Sequence, residues 1–84
     1  MKIIYFAWVR EKTGISEEQI DKLPDNIKTV ADLINWQSKR GNGFSDAFND
    51  SKAIRVAINQ EYSTQDKKIK ITDEVAFFPP VTGG

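Results

Sequence analysis

The chain has 84 residues, of which 39% are hydrophobic and 29% charged, so we expect one domain with a single modest core and little room for a catalytic cavity. Twelve basic residues balance twelve acidic ones, which argues against nucleic acid or an anionic membrane as a partner. The absence of Cys and His excludes thiol nucleophiles, imidazole bases, disulfides and nearly every zinc site, and we expect no metal site.

The opening segment, Lys2 to Val9, is rich in β-branched and aromatic residues and predicts a β-strand. The apolar run before Arg10 is only seven residues long, which is too short for a membrane span, and no signal-cleavage pattern accompanies it, so we expect a cytoplasmic protein. Neither face of this strand is polar: one carries Ile3, Tyr5, Ala7 and Val9, and the other carries Ile4, Phe6 and Trp8.

The segment Ser16 to Leu23 fits two structures. Ser16 and Gln19 have the spacing of a helix capping box, whereas the low apolar content also suits an exposed strand. The residues of this segment leave the choice open.

The main helix is predicted to begin at Thr29, a typical N-cap residue, and to stop before Gly41. Residues 41–43 predict a loop, and residues 44–48 a short helical turn over the core. We expect Trp36 to pack against that turn, and Ser38 to Arg40 to complement the helix dipole while staying solvated. Apolar side chains recur at helical spacing, at Val30, Leu33 and Ile34.

Strands are predicted to follow. Ala53 to Asn59 alternates apolar and smaller or polar residues, as a half-buried strand does, and Asn59 and Gln60 then turn the chain. A segment near Tyr62 adds an edge strand. The last strand runs from Glu74 to Phe78 and is stopped by Pro79 and Pro80.

This order of elements predicts an α+β roll, in which one mixed sheet carries one main helix across one face. The opposite face stays open, and the parity of the first and last strands places Phe6, Trp8 and Phe78 on it. These three side chains form a patch of up to roughly 500 Å², comparable with the largest patch of a typical monomer. We expect a partner there, the alternative being that loops cover the aromatics as a second small core.

Residues 79–84 predict a flexible C-terminal tail beyond a domain of residues 1–78. Pro79 and Pro80 favour an extended course, and six residues reach at most about 20 Å, enough to enter the active site of another protein. Glycines let the backbone pass through a narrow channel and leave a terminal carboxylate open to attack. A Gly-Gly ending is a weak signal alone, because frayed ends also produce it. The tail ends in Val81, Thr82, Gly83 and Gly84.

The run DEVAFFPPVTGG, Asp73 to Gly84, resembles the ending of the small subunit of molybdopterin synthase. The opening KIIYFAWVRE, the segment Thr29 to Leu33, and VAIN, Val56 to Asn59, resemble the first strand, first helix and third strand of that family. The resemblance implies a ubiquitin-like β-grasp fold and makes Ser16 to Leu23 the second strand. Thr72 departs from the glycine that the family usually has there, which bears on the local turn.

The resemblance also implies a function as sulfur carrier. In that family an activating enzyme adenylates the terminal glycine with ATP, and the terminus is then converted to a thiocarboxylate. The tail enters the large synthase subunit, where its sulfur attacks a cyclic pyranopterin precursor to build the dithiolene that later binds molybdenum. The chain would then be a non-catalytic subunit with no permanently bound cofactor, in an assembly of two small subunits on a dimer of large ones.

The resemblance assigns roles to individual residues. Gly84 is the modified residue and Gly83 its neighbour without a side chain, while Phe6 and Phe78 bind the large subunit. Trp8 is added to the partner-binding set from strand parity alone. The partner-binding set is completed by the tail residues Pro79, Pro80, Val81 and Thr82.

Two other functions remain open. The first is a sulfur carrier for thiamin biosynthesis or tRNA thiolation, although AFFPPVTGG resembles the molybdopterin family rather than those relatives. The second is a β-grasp binding module whose tail is inert or is conjugated to lysines, as in protein modifiers. Asp73 and Glu74 are interpreted as turn residues, because neighbours on a strand face opposite sides and do not form an acid–base pair.

Overall fold

Five strands form one mixed sheet in the part of the chain that the computed structural model describes, residues 1–80. The strands are β1 (Lys2–Tyr5), β2 (Glu17–Gln19), β3 (Arg55–Ile58), β4 (Glu61–Ser63) and β5 (Glu74–Phe78). They lie in the order β2-β1-β5-β3-β4. β1 and β5 are parallel at the centre, and the other neighbouring strands are antiparallel.

Three α-helices supply the layer that covers one face of this sheet. They are α1 (Ala7–Thr13), α2 (Val30–Ser38) and α3 (Asn42–Phe48), and a short 3-10 helix, Ser51–Ala53, precedes β3. α3 packs against both α1 and α2. The expected α+β architecture, a ubiquitin-like β-grasp, is confirmed, and α1 is an addition to the predicted main helix.

The hydrophobic core lies between the helices and the covered sheet face. At its centre Phe48 of α3 meets Phe77 of β5 edge to face, with ring centroids 4.9 Å apart. The parity predicted for the covered face of the first and last strands is confirmed at four residues: Ile3, Tyr5, Val75 and Phe77. The buried side chains that form it include Ile3, Tyr5, Val9, Val30, Leu33, Ile34, Ala47, Phe48, Ile54, Val56, Ile58, Val75 and Phe77.

β1 ends at Tyr5, so the strand predicted over Lys2 to Val9 is wrong in its second half. The backbone of Ala7 adopts a left-handed conformation with φ of 52°, which turns the chain out of the sheet and into α1. Val9 is buried, but as a residue of α1 and not of a strand. Gly14 ends α1 with φ of 82°, a conformation that glycine adopts without steric cost.

The N-terminus of α2 is confirmed as predicted from Thr29. The Thr29 hydroxyl accepts a hydrogen bond from the Asp32 backbone N–H at 3.2 Å, and the Asp32 carboxylate accepts one from the Thr29 N–H at 3.1 Å. This reciprocal capping box satisfies two helix N–H groups that have no partner within the helix. Hydrogen bonds from the backbones of Lys28 and Thr29 lower the pKa of Asp32.

α3 begins at Asn42, inside the segment that was predicted to be a loop. Gly43 permits this start, because a Cβ at this position would lie 1.6 Å from the backbone oxygen of Lys12. Only a residue without a side chain lets the first turn of α3 approach the last turn of α1 so closely.

The turn predicted at Asn59 and Gln60 joins β3 to β4. Both residues have positive φ, 51° and 71°, as the tightest hairpin turns of a twisted sheet require. The Asn59 side chain also accepts a hydrogen bond from the Glu74 N–H at 2.9 Å and donates one to the Asp73 carboxylate at 3.0 Å. Asn59 therefore holds the start of β5. Asp73 is the turn residue that was expected, whereas the same interpretation of Glu74 is wrong, because Glu74 is the first residue of β5.

A polar cluster under the sheet edge ties β2 to α2. Gln37, which is fully buried, donates a hydrogen bond to the Tyr5 hydroxyl at 2.7 Å, and that hydroxyl donates to Glu18 at 2.7 Å. The Arg40 guanidinium donates to both Glu18 oxygens and to the Gln37 amide oxygen. Burial alone would raise the pKa of Glu18, but the hydrogen bonds from Arg40 and Tyr5 lower it below its ordinary value.

Arg40 is therefore not the solvated helix-end residue that the sequence predicted. Its guanidinium lies 4.0 Å from the ring centroid of Phe44 and 4.9 Å from that of Trp36, in addition to its ion pair with Glu18. A planar cation can stack on aromatic rings and still direct its N–H groups to a carboxylate. Arg40 thus links α2, α3 and β2.

Candidate functional site

The open face of the sheet carries an apolar groove of about 410 Å³. Its floor is made of small and aliphatic side chains and its walls are aromatic, with Phe6 47% and Tyr62 84% exposed. An exposed, largely apolar groove of this kind is typical of a surface that binds another molecule. The residues that line it are Ile4, Phe6, Ala57, Gln60, Tyr62, Glu74, Ala76 and Phe78.

Strand pairing brings the floor of the groove together from three neighbouring strands. Ala76 of β5 lies beside Ile4 of β1 on one side and beside Ala57 of β3 on the other. Because alternate residues of a strand share a face, Phe78 follows Ala76 along the same side of the sheet. The two small alanine side chains leave the depression over which the aromatic rings stand.

Phe6 lies at the groove although it has left the strand. Its backbone N–H still donates to the Phe77 oxygen at 3.0 Å, which holds Phe6 beside the end of β5. Its extended conformation makes it the N-cap of α1, without a side-chain capping bond, so the ring stays exposed. The predicted placement of Phe6 and Phe78 on the open face is confirmed.

Tyr62 is a groove residue that the sequence analysis did not single out. It lies opposite Ala57 in the β3–β4 pair, and its ring stands 5.7 Å from that of Phe78 in a tilted arrangement. The available signal was an aromatic residue in a predicted edge strand. Tyr62 and Phe78 together form one wall.

Trp8 is not on the open face, because the strand parity used to place it ends at Tyr5. It lies on α1, where it is half-buried and packs against the core. The Lys12 ammonium lies 5.8 Å from its ring centroid. Trp8 therefore stabilises the helical layer, and the groove does not contain it.

The groove lies where the chain leaves the sheet. β5 ends at Phe78, one of its wall residues, and Pro79 and Pro80, both half-buried, follow directly. Val81, Thr82, Gly83 and Gly84, which the sequence analysis predicted to enter a partner, lie outside the described residues. A partner on the groove would thus be seated beside the start of the segment that ends in Gly-Gly.

The groove contains no set of catalytic side chains. Glu74 and Gln60 are its polar lining residues, and in residues 1–80 no group of three or more acidic residues could hold a metal ion. The described helices also include none that is long and apolar enough to cross a membrane. The exposed aromatic walls and apolar floor are suited to binding another molecule.

Residues 3–84 match the model of the ThiS family. The chain belongs to the ThiS family. It is 33% identical to the molybdopterin synthase sulfur carrier subunit of Haemophilus influenzae and 34% identical to that of Escherichia coli, in each case over 100% of this chain and 99% of the relative. A crystal structure of SAMP1 from Haloferax volcanii superimposes with a TM-score of 0.70 at 27% identity, covering 100% of this chain and 98% of the other.

These comparisons place the chain among the ubiquitin-like sulfur carriers and confirm the resemblance seen in the sequence. The departure at Thr72 leaves the turn before β5 intact. Positive φ at residues other than glycine is confined, within residues 1–80, to Ala7, Asn42, Asn59 and Gln60. Thr72 therefore adopts a backbone conformation that threonine tolerates.

Proposed function

We propose that the ThiS-family chain described here carries sulfur as a thiocarboxylate on Gly84 and donates it within a molybdopterin synthase to the cyclic pyranopterin precursor. The observation that carries the proposal is the position of the aromatic groove at the start of the tail. A partner that covers Phe6 and Phe78 is placed to receive the residues that follow Pro80. The similarity to the named sulfur carrier subunits supports the same assignment.

The proposed chemistry needs no catalytic group from this chain. A free carboxylate is a poor acyl donor, so an activating enzyme first transfers AMP from ATP to Gly84 and releases pyrophosphate. A sulfide equivalent then displaces AMP and leaves a thiocarboxylate, a soft nucleophile. This sequence of steps fits a chain with neither Cys nor His. ATP is thus used by the activating enzyme, and no permanently bound cofactor is proposed.

The proposed partners are the large synthase subunit and the adenylating enzyme, which would bind the aromatic groove one after the other. Phe6 and Phe78 act as apolar anchors, with Tyr62 as the third wall residue. Pro79 to Thr82 guide the extended tail, and Gly83 and Gly84 pass the narrowest part of the partner's site. We propose two copies on a dimer of large subunits, in the cytoplasm, with catalysis by the large subunit alone.

Reconstitution tests this proposal. Molybdopterin is expected to form when the chain with an enzymatically formed thiocarboxylate is mixed with the purified large subunit and the cyclic precursor. It is detected as its fluorescent oxidation product. Deleting Gly84 should abolish product while the affinity for the large subunit stays within about twofold, because the groove is retained.

Each alternative function gives a different result in that experiment. A thiocarboxylated chain that binds the large subunit poorly and forms no molybdopterin would point to another sulfur acceptor, such as those of thiamin biosynthesis or tRNA thiolation. A chain whose activity survives the loss of Gly84 would be a binding module, and the proposal would be wrong.

A further inference from the structure

A second groove, of about 720 Å³, lies away from the aromatic face and is unused by the proposed function. One wall is the connection between β2 and α2, residues 21–28, and the other is residues 68–71, before β5. The walls are held together by backbone pairing: Ile69 N–H donates to the Lys28 oxygen at 3.0 Å, and Val30 N–H donates to the Lys67 oxygen at 3.0 Å. The groove is therefore a formed surface between two hydrogen-bonded segments.

The floor of this lysine-rimmed groove is apolar. Leu23, Ile27 and Ile69 are half-buried against the core, and Ile71 is 41% exposed. Ile71 is one of only three large hydrophobic side chains exposed in residues 1–80, and the other two, Phe6 and Tyr62, line the aromatic groove. An exposed aliphatic side chain over a formed groove indicates a place for apolar groups of another molecule.

The rim is basic. Lys22, Lys28, Lys68 and Lys70 surround the groove and are all exposed, whereas the acidic lining residues are Asp21 and Asp25. Within residues 1–80 the only ion pairs are Lys2 with Glu17 and Arg40 with Glu18, so none of the four rim lysines is in an ion pair with this part of the chain. Because the protein as a whole has no net charge, this is a local basic surface.

The lysine-rimmed groove and the tail lie at opposite ends of β5. β5 begins at Glu74, next to the groove, and ends at Phe78, next to the tail. A strand advances about 3.3 Å per residue, so the two ends of β5 are roughly 13 Å apart. The lysine-rimmed groove is thus a separate surface from the start of the tail.

We propose that the lysine-rimmed groove binds an acidic amphipathic segment of a partner protein, with its carboxylates on the rim lysines and its apolar side chains on Ile71 and the aliphatic floor. The net positive rim selects the charge of the occupant, and the floor requires that it also be apolar. A purely anionic ligand would leave the floor uncovered, and a purely apolar one would leave the lysines without partners.

The test is a titration of the isotope-labelled full chain with a synthetic peptide of about twelve residues in which Asp and Glu flank Leu and Ile. Amide chemical shifts should change over residues 21–28 and 68–71, and binding should weaken as salt rises. Two control peptides, one with Ser in place of Leu and Ile and one with Lys in place of the acids, should bind at least about tenfold more weakly.

Matched variants locate the effect. Lys68→Glu with Lys70→Glu should weaken binding of the acidic peptide by about tenfold or more, whereas Lys39→Glu with Lys52→Glu, which makes the same change in net charge elsewhere on the exposed surface, should change it by less than about twofold. Ile71→Ser should also weaken binding.

The inference is overturned if both double variants weaken binding equally, or if the Ser peptide binds as well as the acidic amphipathic one, since either result means general charge attraction. Shift changes centred on Phe6 and Phe78 would overturn it as well. So would concentration-dependent shifts over residues 21–28 without peptide, because the occupant would then be a second copy of this chain.

Discussion

Replacing Phe6 by Ala is expected to weaken the complex with the large synthase subunit by about 1–2 kcal/mol, or roughly 5- to 30-fold in Kd. Phe6 is 47% exposed in the free chain. For a phenylalanine of about 200 Å², roughly 90 Å² remains to be covered by a partner, which at about 25 cal/mol per Å² gives an upper limit of about 2 kcal/mol. The retained Cβ and the ordering of the interface reduce this value.

Isothermal titration calorimetry with separately purified subunits measures this change. The control is Lys52→Ala, which truncates an exposed side chain that lines neither groove. Thermal unfolding should show that both variants remain folded, because the Phe6 backbone groups that cap α1 are unaffected. A loss of less than about twofold for Phe6→Ala, or an equal loss for Lys52→Ala, would refute the assignment of the aromatic groove as the binding surface.

Three further predictions concern stability. Gly43→Ala should lower the free energy of unfolding by about 1–3 kcal/mol, measured by urea denaturation, because the new Cβ meets the Lys12 oxygen; an unchanged midpoint would mean that α1 and α3 do not approach as described. Gln60→Gly should raise the free energy of unfolding by about 0.5–1 kcal/mol, since glycine tolerates the φ of 71° at this position. A loss of stability in this variant would contradict the left-handed conformation of the turn. Glu18 has a lowered pKa in the folded state, so its stabilising contribution is present above its ordinary pKa and is lost as pH falls through the folded value. The difference in unfolding free energy between the unchanged chain and Glu18→Gln should therefore be constant near neutral pH and shrink below about pH 4.5. A difference that persists undiminished to about pH 2 would contradict the lowered pKa of Glu18.

The elements predicted best from the sequence are those fixed by local chemistry. β5 has the predicted bounds because two prolines follow it, the capping box at Thr29 fixes the start of α2, and Asn59 with Gln60 forms the predicted turn. The segment Ser16 to Leu23, open on its residues alone, contains β2, as the family resemblance implied.

The errors arise where tertiary contacts override local pattern. The run through Val9 reads as a strand by composition, yet one left-handed residue, Ala7, converts its second half into a helix. Arg10, Lys12 and Gly14 are in fact a helix ending, a signal hidden by the β-branched and aromatic residues before them. Trp8 was misplaced as a direct result.

The candidate site was predicted in part. Phe78 was placed correctly because the sheet parity holds there, and Phe6 because its backbone hydrogen bond to Phe77 keeps it beside β5. Tyr62 depends on the register between β3 and β4. The cluster of Arg40, Glu18 and Gln37 joins residues far apart in the sequence. Spacing along the chain gives no indication of such a cluster.

Whether Gly84 carries sulfur can be measured by intact mass spectrometry after the protein is incubated with the soluble extract of its own cells, ATP and a sulfur source. Sulfur transfer to Gly84 predicts a gain of about 16 Da, the exchange of oxygen for sulfur, that fragmentation localises to Gly84. No gain, in an extract shown to make molybdenum cofactor, would contradict it.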